Sequence, residues 1–279
     1  MSHFTVMVLS NGQKTVDELL APYDESIRVE PYINRTKAQM IEDAKRGQKN
    51  ILDRIREAKE KGTEYNVSSY DEKLLACKTD EEFYNYFYDE DEQYDEDGNE
   101  LTTYNPKSKW DWYQVGGIWE GLLKAKKGVK AHSPSLLSST SSGYTPPDDE
   151  HFDCALIKDL DFSVDPEEIE RRERWWEVAI EGAPLKKGEN EEDFRTLYRK
   201  EYFLNRYKDK KTYAEVSSTF STFAVITPDG EWHEKGEMGW FGYSSETDDE
   251  VLDWALHFKE RFIDTMDPNT VVTIVDCHI

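Results

Sequence analysis

The 279-residue chain predicts an α+β fold with a mainly antiparallel sheet. Three observations carry it. Alternating, β-branched segments open and close the chain, as "HFTVMVL" (His3–Leu9) and "NTVVTIVDCHI" (Asn269–Ile279). Helical-period segments with cap signals lie between them. A Pro-Asp-Gly turn joins two strand-like runs in "TFAVITPDGEWHEKG". Apolar strands at both ends need partners, because free ones aggregate. Both are therefore placed in the sheet, with helices packed on it and a long polar loop.

In chain order, "IRVEPYI" (Ile27–Ile33) sets Ile27 and Val29 on one face and Arg28 and Glu30 on the other. Pro31 cannot donate to a ladder, so this is an edge strand. Thr36 to Lys61 has Ile41, Ala44, Ile51, Ile55 and Ala58 near one stripe, with Gly62 as the C′ residue. Asp97-Gly98 turns a hairpin into "LTTY". His132–Glu150 is Ser/Pro-rich and reads as a loop. Phe152–Phe162 starts as a strand. Asp165 caps the next helix, with Pro166 at N1 and Glu168 closing a capping box. Another helix is expected from Glu191 to Lys208, and a Thr247–Glu250 box opens one through Phe262. Residues 1–131 and 151–279 thus form one α+β domain. The 132–150 loop interrupts it, and 163–212 is a candidate helical subdomain.

Composition narrows function. The formal net charge is −24, which opposes direct contact with nucleic acid or an anionic membrane and attracts basic protein surfaces. Cys77, Cys154 and Cys277 are too few and scattered for a disulfide framework or CxxC site, so reduced thiols are expected. The chain opens without a charged-then-apolar leader, and no apolar run reaches the roughly 20 residues of a membrane span. A cytoplasmic protein is expected.

The stretch "YNPKSKWDWYQVGGIWEG" (Tyr104–Gly121) sets Trp110, Trp112 and Trp119 around Gly116-Gly117. As a strand from Lys109 to Val115 it would put Trp110 and Trp112 on one face and Tyr113 on the other, with Trp119 folding back over both. The glycines admit a bulge or the close approach of a backbone or ligand. Trp110, Trp112, Trp119, Gly116 and Gly117 therefore form either a stacking platform for a small ligand or an aromatic core strand. The core reading is preferred, so Trp112→Ala should cost stability. Lys109 and Asp111 are its polar edges.

Asp80–Glu100 is strongly acidic, and no Lys or Arg occurs from Thr79 to Pro106. Tyr84, Phe87 and Tyr88 are candidate anchors for a partner that Asp89, Glu90, Asp91 and Glu92 would steer. The alternative is a solvated loop. An EF-hand is rejected, because alignment on Gly98 puts Gln93 first and Tyr104 twelfth. His3 and His278 could meet if the terminal strands pair antiparallel, but a metal or acid–base site there lacks a third ligand. Cys277 and His278 point to opposite faces and cannot act as a nucleophile pair. No P-loop, GxGxxG, GxSxG or HExxH occurs. "GEMGWFGY" (Gly236–Tyr243) lacks the strand–loop–helix context of a phosphate site. No catalytic residue, metal ligand set or cofactor is assigned.

Four stretches together, "MSHFTV", "NPKSKWDWYQVGGIW", "GEMGWFG" and "TIVDCHI", resemble a family of proteins encoded largely by phages and prophages. The chain is also similar to phage anti-defence proteins, especially inhibitors of the Gabija system. The resemblance implies a binding protein that self-assembles, encloses a bacterial nuclease complex in the host cytoplasm and keeps it from DNA. It transfers no individual residue role. An enzyme acting on a nucleotide or small ligand, through the Trp stretch and the Gly236–Tyr243 loop, is the first alternative. A general acidic interaction module is the second.

Overall fold

The computed structural model of the chain describes residues 2–129, 148, 150–239 and 243–279. The expected 132–150 loop, apart from Asp148 and Glu150, and positions 240–242 of the Gly236–Tyr243 loop lie outside the described residues. The strands are β1 (His3–Ser10), β2 (Arg28–Arg35), β3 (Gln93–Tyr94), β4 (Glu100–Tyr104), β5 (Trp112–Val115), β6 (Leu123–Lys124), β7 (His151–Phe152), β8 (Cys154–Leu156), β9 (Ala224–Ile226), β10 (Trp232–Glu234) and β11 (Val271–His278). The helices are α1 (Val16–Leu20), α2 (Lys37–Glu60), α3 (Ser69–Ala76), α4 (Asp80–Phe87), α5 (Pro166–Ala179), α6 (Lys200–Tyr207), α7 (Lys210–Ser218) and α8 (Asp248–Phe262).

These elements form an α+β fold in two compact units, where the sequence suggested one domain. The first unit is Met1–Glu25 with Lys107–Ile279, and the second is Ser26–Pro106.

The first unit is built on a sheet in the order β10-β9-β1-β11-β5, with β8 also on β11. Its two long strands are the two ends of the chain. β1 and β11 pair antiparallel over their whole length, from His3 opposite His278 to Ser10 opposite Val271. β9 joins β1 in parallel, and the remaining pairings are antiparallel. The strict alternation of β1 and β11 gives two apolar faces. Met7, Leu9, Val272 and Ile274 pack under Trp254, Phe258 and Phe262 of α8. Phe4, Val6, Val275 and Cys277 pack with Val16, Leu19 and Leu20 on the other side. The expected Thr247–Glu250 box opens α8.

Residues 163–212 depart from expectation in three ways. Asp165 caps α5 through the Glu167 amide, while Glu168 turns to Arg171 and Arg172 in place of closing a box. The Glu191–Lys208 helix is broken into a 3-10 turn at Glu191–Phe194 and α6, with Leu197 fully exposed between them. Asp209 then caps α7 by accepting from Thr212. Trp176, Ile180, Phe203 and Tyr213 form the core of this helical part.

In the second unit, α2 follows a Thr36–Gln39 capping box and buries Met40, Ala44 and Ile51. Phe83 of α4 and Leu74 of α3 meet Ala44 and Ile51 in one cluster. The sheet order is β2-β4-β3, so β2 is an edge strand as Pro31 requires. The Asp97-Gly98 turn leads from β3 into β4.

Candidate functional site

Among the described residues, two places are considered for their chemistry, one in each unit. In the first unit it lies at the ends of the terminal strands. Odd residues of β1 and even residues of β11 share a face, and Trp112 and Gln114 of β5 pair with His278 and Asp276. That face is apolar from Met7 to Leu9 and turns polar toward His3, Thr5, Asp276 and His278. The direct register of His3 with His278 brings their ring centres to 5.2 Å, near perpendicular. A carboxylate only accepts hydrogen bonds, so each ring donates from Nδ1. His3 reaches Asp276 Oδ1 at 2.9 Å and His278 reaches Asp111 Oδ1 at 2.6 Å. Asp276 is 2% exposed, and its other oxygen accepts the Ile118 amide at 3.1 Å. The sequence suggested this meeting of histidines for antiparallel ends. It gave no hint of the two carboxylates that orient the rings.

The Trp stretch is split in its roles. Trp110 precedes the strand and forms a bridge to Asp24. It is buried, donates from Nε1 to the Leu20 carbonyl at 3.1 Å, and lies edge-on to Tyr113 at 5.2 Å. Trp112 points to the opposite side. It is 49% exposed, with its ring 6.4 Å from that of His3. The expected common face for Trp110 and Trp112 is thus corrected, because β5 begins only at Trp112. The preference for Trp112 as core is corrected with it. Trp119 is half-buried against the α8 side of the core. Among the described residues, no ring contact joins it to the other two tryptophans. Lys109 pairs with Glu234 at 2.6 Å.

Gly116 and Gly117 have positive φ, 71° and 60°. What they admit is neither backbone nor ligand but two buried acids. A Cβ on Gly116 would sit 2.7 Å from Asp153 Oδ2, and one on Gly117 would overlap the Asp276 side chain. Asp153 Oδ1 accepts the Gly121 amide at 2.6 Å. Burial pushes the neighbouring Cys154 thiol up to about 12, against a hydrogen bond with Thr273. Burial also drives the Cys277 thiol well above its usual range, with the Asp276 charge adding to it. Neither thiol is a nucleophile at neutral pH.

The second place is the acidic segment of the second unit. Tyr84 is buried, with Lys37 Nζ 4.6 Å from its ring centre, and burial raises its phenol. It is withdrawn as a partner anchor, because it already serves this unit's interior. Phe87 is half-buried under Arg35, 5.0 Å away. Tyr88 is 45% exposed and stacks on Tyr94 with centres 4.6 Å apart. Asp89, Glu90, Asp91 and Glu92 follow it, all exposed, in a turn closed by Glu92 N–H on the Asp89 carbonyl. Beside them, Tyr70, Lys73, Glu82, Tyr86, Phe87 and Tyr88 help line a cavity of about 700 Å³.

Five acids of this unit pair with cations: Asp43 with Arg46, Asp53 with Arg56, Glu57 with Lys61, Asp80 with Lys45 and Glu100 with Arg35. Among the described residues, Asp89, Glu90, Asp91, Glu92, Glu96 and Asp97 form no ion pair.

No helix among the described residues is long and apolar enough to cross a membrane, and none of their His, Cys, Asp and Glu side chains cluster in threes around a metal position. No protein-family model, curated protein or solved structure matches the chain.

Proposed function

We propose that the chain is a non-enzymatic binding protein whose second unit offers the acidic segment 88–97 to a basic, DNA-binding surface of a protein complex. One observation carries this reading: six exposed acids, Asp89, Glu90, Asp91, Glu92, Glu96 and Asp97, are gathered in one short segment and form no ion pair among the described residues. Like charges held together at a surface repel one another. They are best matched by a basic partner, where complementary charge speeds encounter and sets specificity. Tyr88, stacked on Tyr94, and the half-buried Phe87 that helps line the neighbouring cavity supply apolar contact beside the charge. The resemblance to phage inhibitors of bacterial nuclease systems, Gabija among them, gives the partner class. A protein charged like DNA competes for the surface that DNA would occupy. Self-assembly and a cytoplasmic site of action belong to the same reading.

The test is capture by the immobilised full chain from a lysate of bacteria that carry an anti-phage nuclease system. Retention of the nuclease complex, its release by DNA, and loss of retention in D89N/E90Q/D91N/E92Q support the proposal. Equal retention by the neutralised variant contradicts it, as does a captured complex that still binds DNA fully. A second reading, a binding site for a small ligand in the first unit, is favoured by Trp112, whose half-exposed ring stands beside two oriented imidazoles.

A further inference from the structure

We propose that His3 and His278 bind one divalent transition-metal ion of the zinc type through their Nε2 atoms, leaving coordination positions open to water or a ligand beside Trp112. This inference concerns the first unit alone and does not depend on the acidic segment.

Three observations converge. First, both Nδ1 atoms are engaged by carboxylates, His3 with Asp276 at 2.9 Å and His278 with Asp111 at 2.6 Å. Nε2 is then the acceptor nitrogen left to each neutral ring. An imidazole that donates its other N–H to a carboxylate is the usual outer shell of a metal-bound histidine. Here both rings have it.

Second, the separation fits. With zinc–nitrogen bonds of about 2.0–2.1 Å, two imidazoles on one tetrahedral ion have ring centres roughly 5 Å apart. The observed separation is 5.2 Å with the planes at 71°.

Third, the frame is rigid and the charge is suitable. His3 and His278 are directly opposed on two strands that pair over eight positions. The two carboxylates favour a cation, and Lys109, a nearby base in sequence, is neutralised by Glu234. The His278 side chain is 14% exposed and that of His3 38%, so an ion can enter from solvent. Since no third protein ligand joins them among the described residues, the remaining positions belong to water or an incoming donor group. An oxygen or nitrogen ligand of a small molecule could fill them, with its flat part against Trp112.

The experiment titrates the full-length, metal-free chain with Co²⁺, read by visible absorption, and with Zn²⁺, read by calorimetry. The expected result is one ion per chain, with binding lost in H3Q and in H278Q. D111N, which leaves both rings in place, should weaken binding by about 10–100-fold. Melting curves of each variant confirm that it is folded. His151 and His257, each beside its own acid on the surface, are the controls, and H151Q and H257Q should bind like the parent. Absence of binding to the parent at tens of micromolar overturns the proposal. So does binding that survives H3Q and H278Q, or that falls with H151Q or H257Q instead.

Discussion

Gly117→Ala should be among the most damaging single-methyl additions in this chain. The new Cβ would overlap the side chain of Asp276, whose Cβ is fixed on β11 between β1 and β5. Asp276 cannot swing away, since it is 2% exposed and bonded to His3 and to the Ile118 amide. Residue 117 also has φ of 60°, which costs a residue with a Cβ about 1–2 kcal/mol. Forcing extra volume into a packed site adds about 1–3 kcal/mol. The sum is roughly 2–5 kcal/mol, and at about 2–4 °C per kcal/mol a unit of this size should melt on the order of 10 °C lower. Thermal melts by circular dichroism on parent and variant measure it. A melting point within about 2 °C of the parent would refute the idea that the glycine pair exists to admit the buried acids.

The tryptophans should separate cleanly in urea unfolding: Trp110→Ala should cost about 3–5 kcal/mol and Trp112→Ala under about 1 kcal/mol, and the reverse order would contradict their placement. Burial alone would raise the Glu100 carboxyl, but hydrogen bonds from Arg35 and Asn34 outweigh it and hold the group below the ordinary Glu range. Its contribution is therefore complete above that range and is lost as pH falls through the folded value. The stability gap between parent and Glu100→Gln should accordingly close between pH 6 and the acid limit, and a gap that widens on acidification would be inconsistent. Deleting Thr270–Ile279 removes the strand that pairs with β1, β5 and β8. The product should be insoluble or unfolded, and an unchanged melt would contradict the topology.

Local signals made much of this fold legible. Alternation in His3–Leu9 and β-branched residues in Asn269–Ile279 marked the terminal strands, and Thr247 with Glu250 marked the start of α8. The helix after Thr36 was equally readable from its stripe. Boxes at Thr15–Glu18 and Ser68–Asp71 open α1 and α3 by the same chemistry, so the signal for those helices was present. Asp209 with Thr212 likewise announced α7. The site residues were harder, for a physical reason. That His3 meets His278 depends on a register between the two ends of the chain, which no local pattern encodes. That Asp111 and Asp276 orient the rings depends on that register and on β5 joining β11. The sides taken by Trp110 and Trp112 turned on where β5 begins, and strand limits are set by pairing partners rather than by alternation alone. In the acidic segment, composition revealed the charge, but only the packing of α4 shows that Tyr84 faces inward while Tyr88 remains exposed.

The most direct test of the acidic-surface proposal is the association rate of the captured partner with the immobilised chain at about 0.05 M and about 0.3 M salt, where screening differs strongly. For the parent, association should fall about tenfold or more between the two conditions, while dissociation changes little. For D89N/E90Q/D91N/E92Q, association should be slow at both and nearly independent of salt. Equal association rates and equal salt dependence for parent and variant would contradict the claim that this segment meets a basic surface.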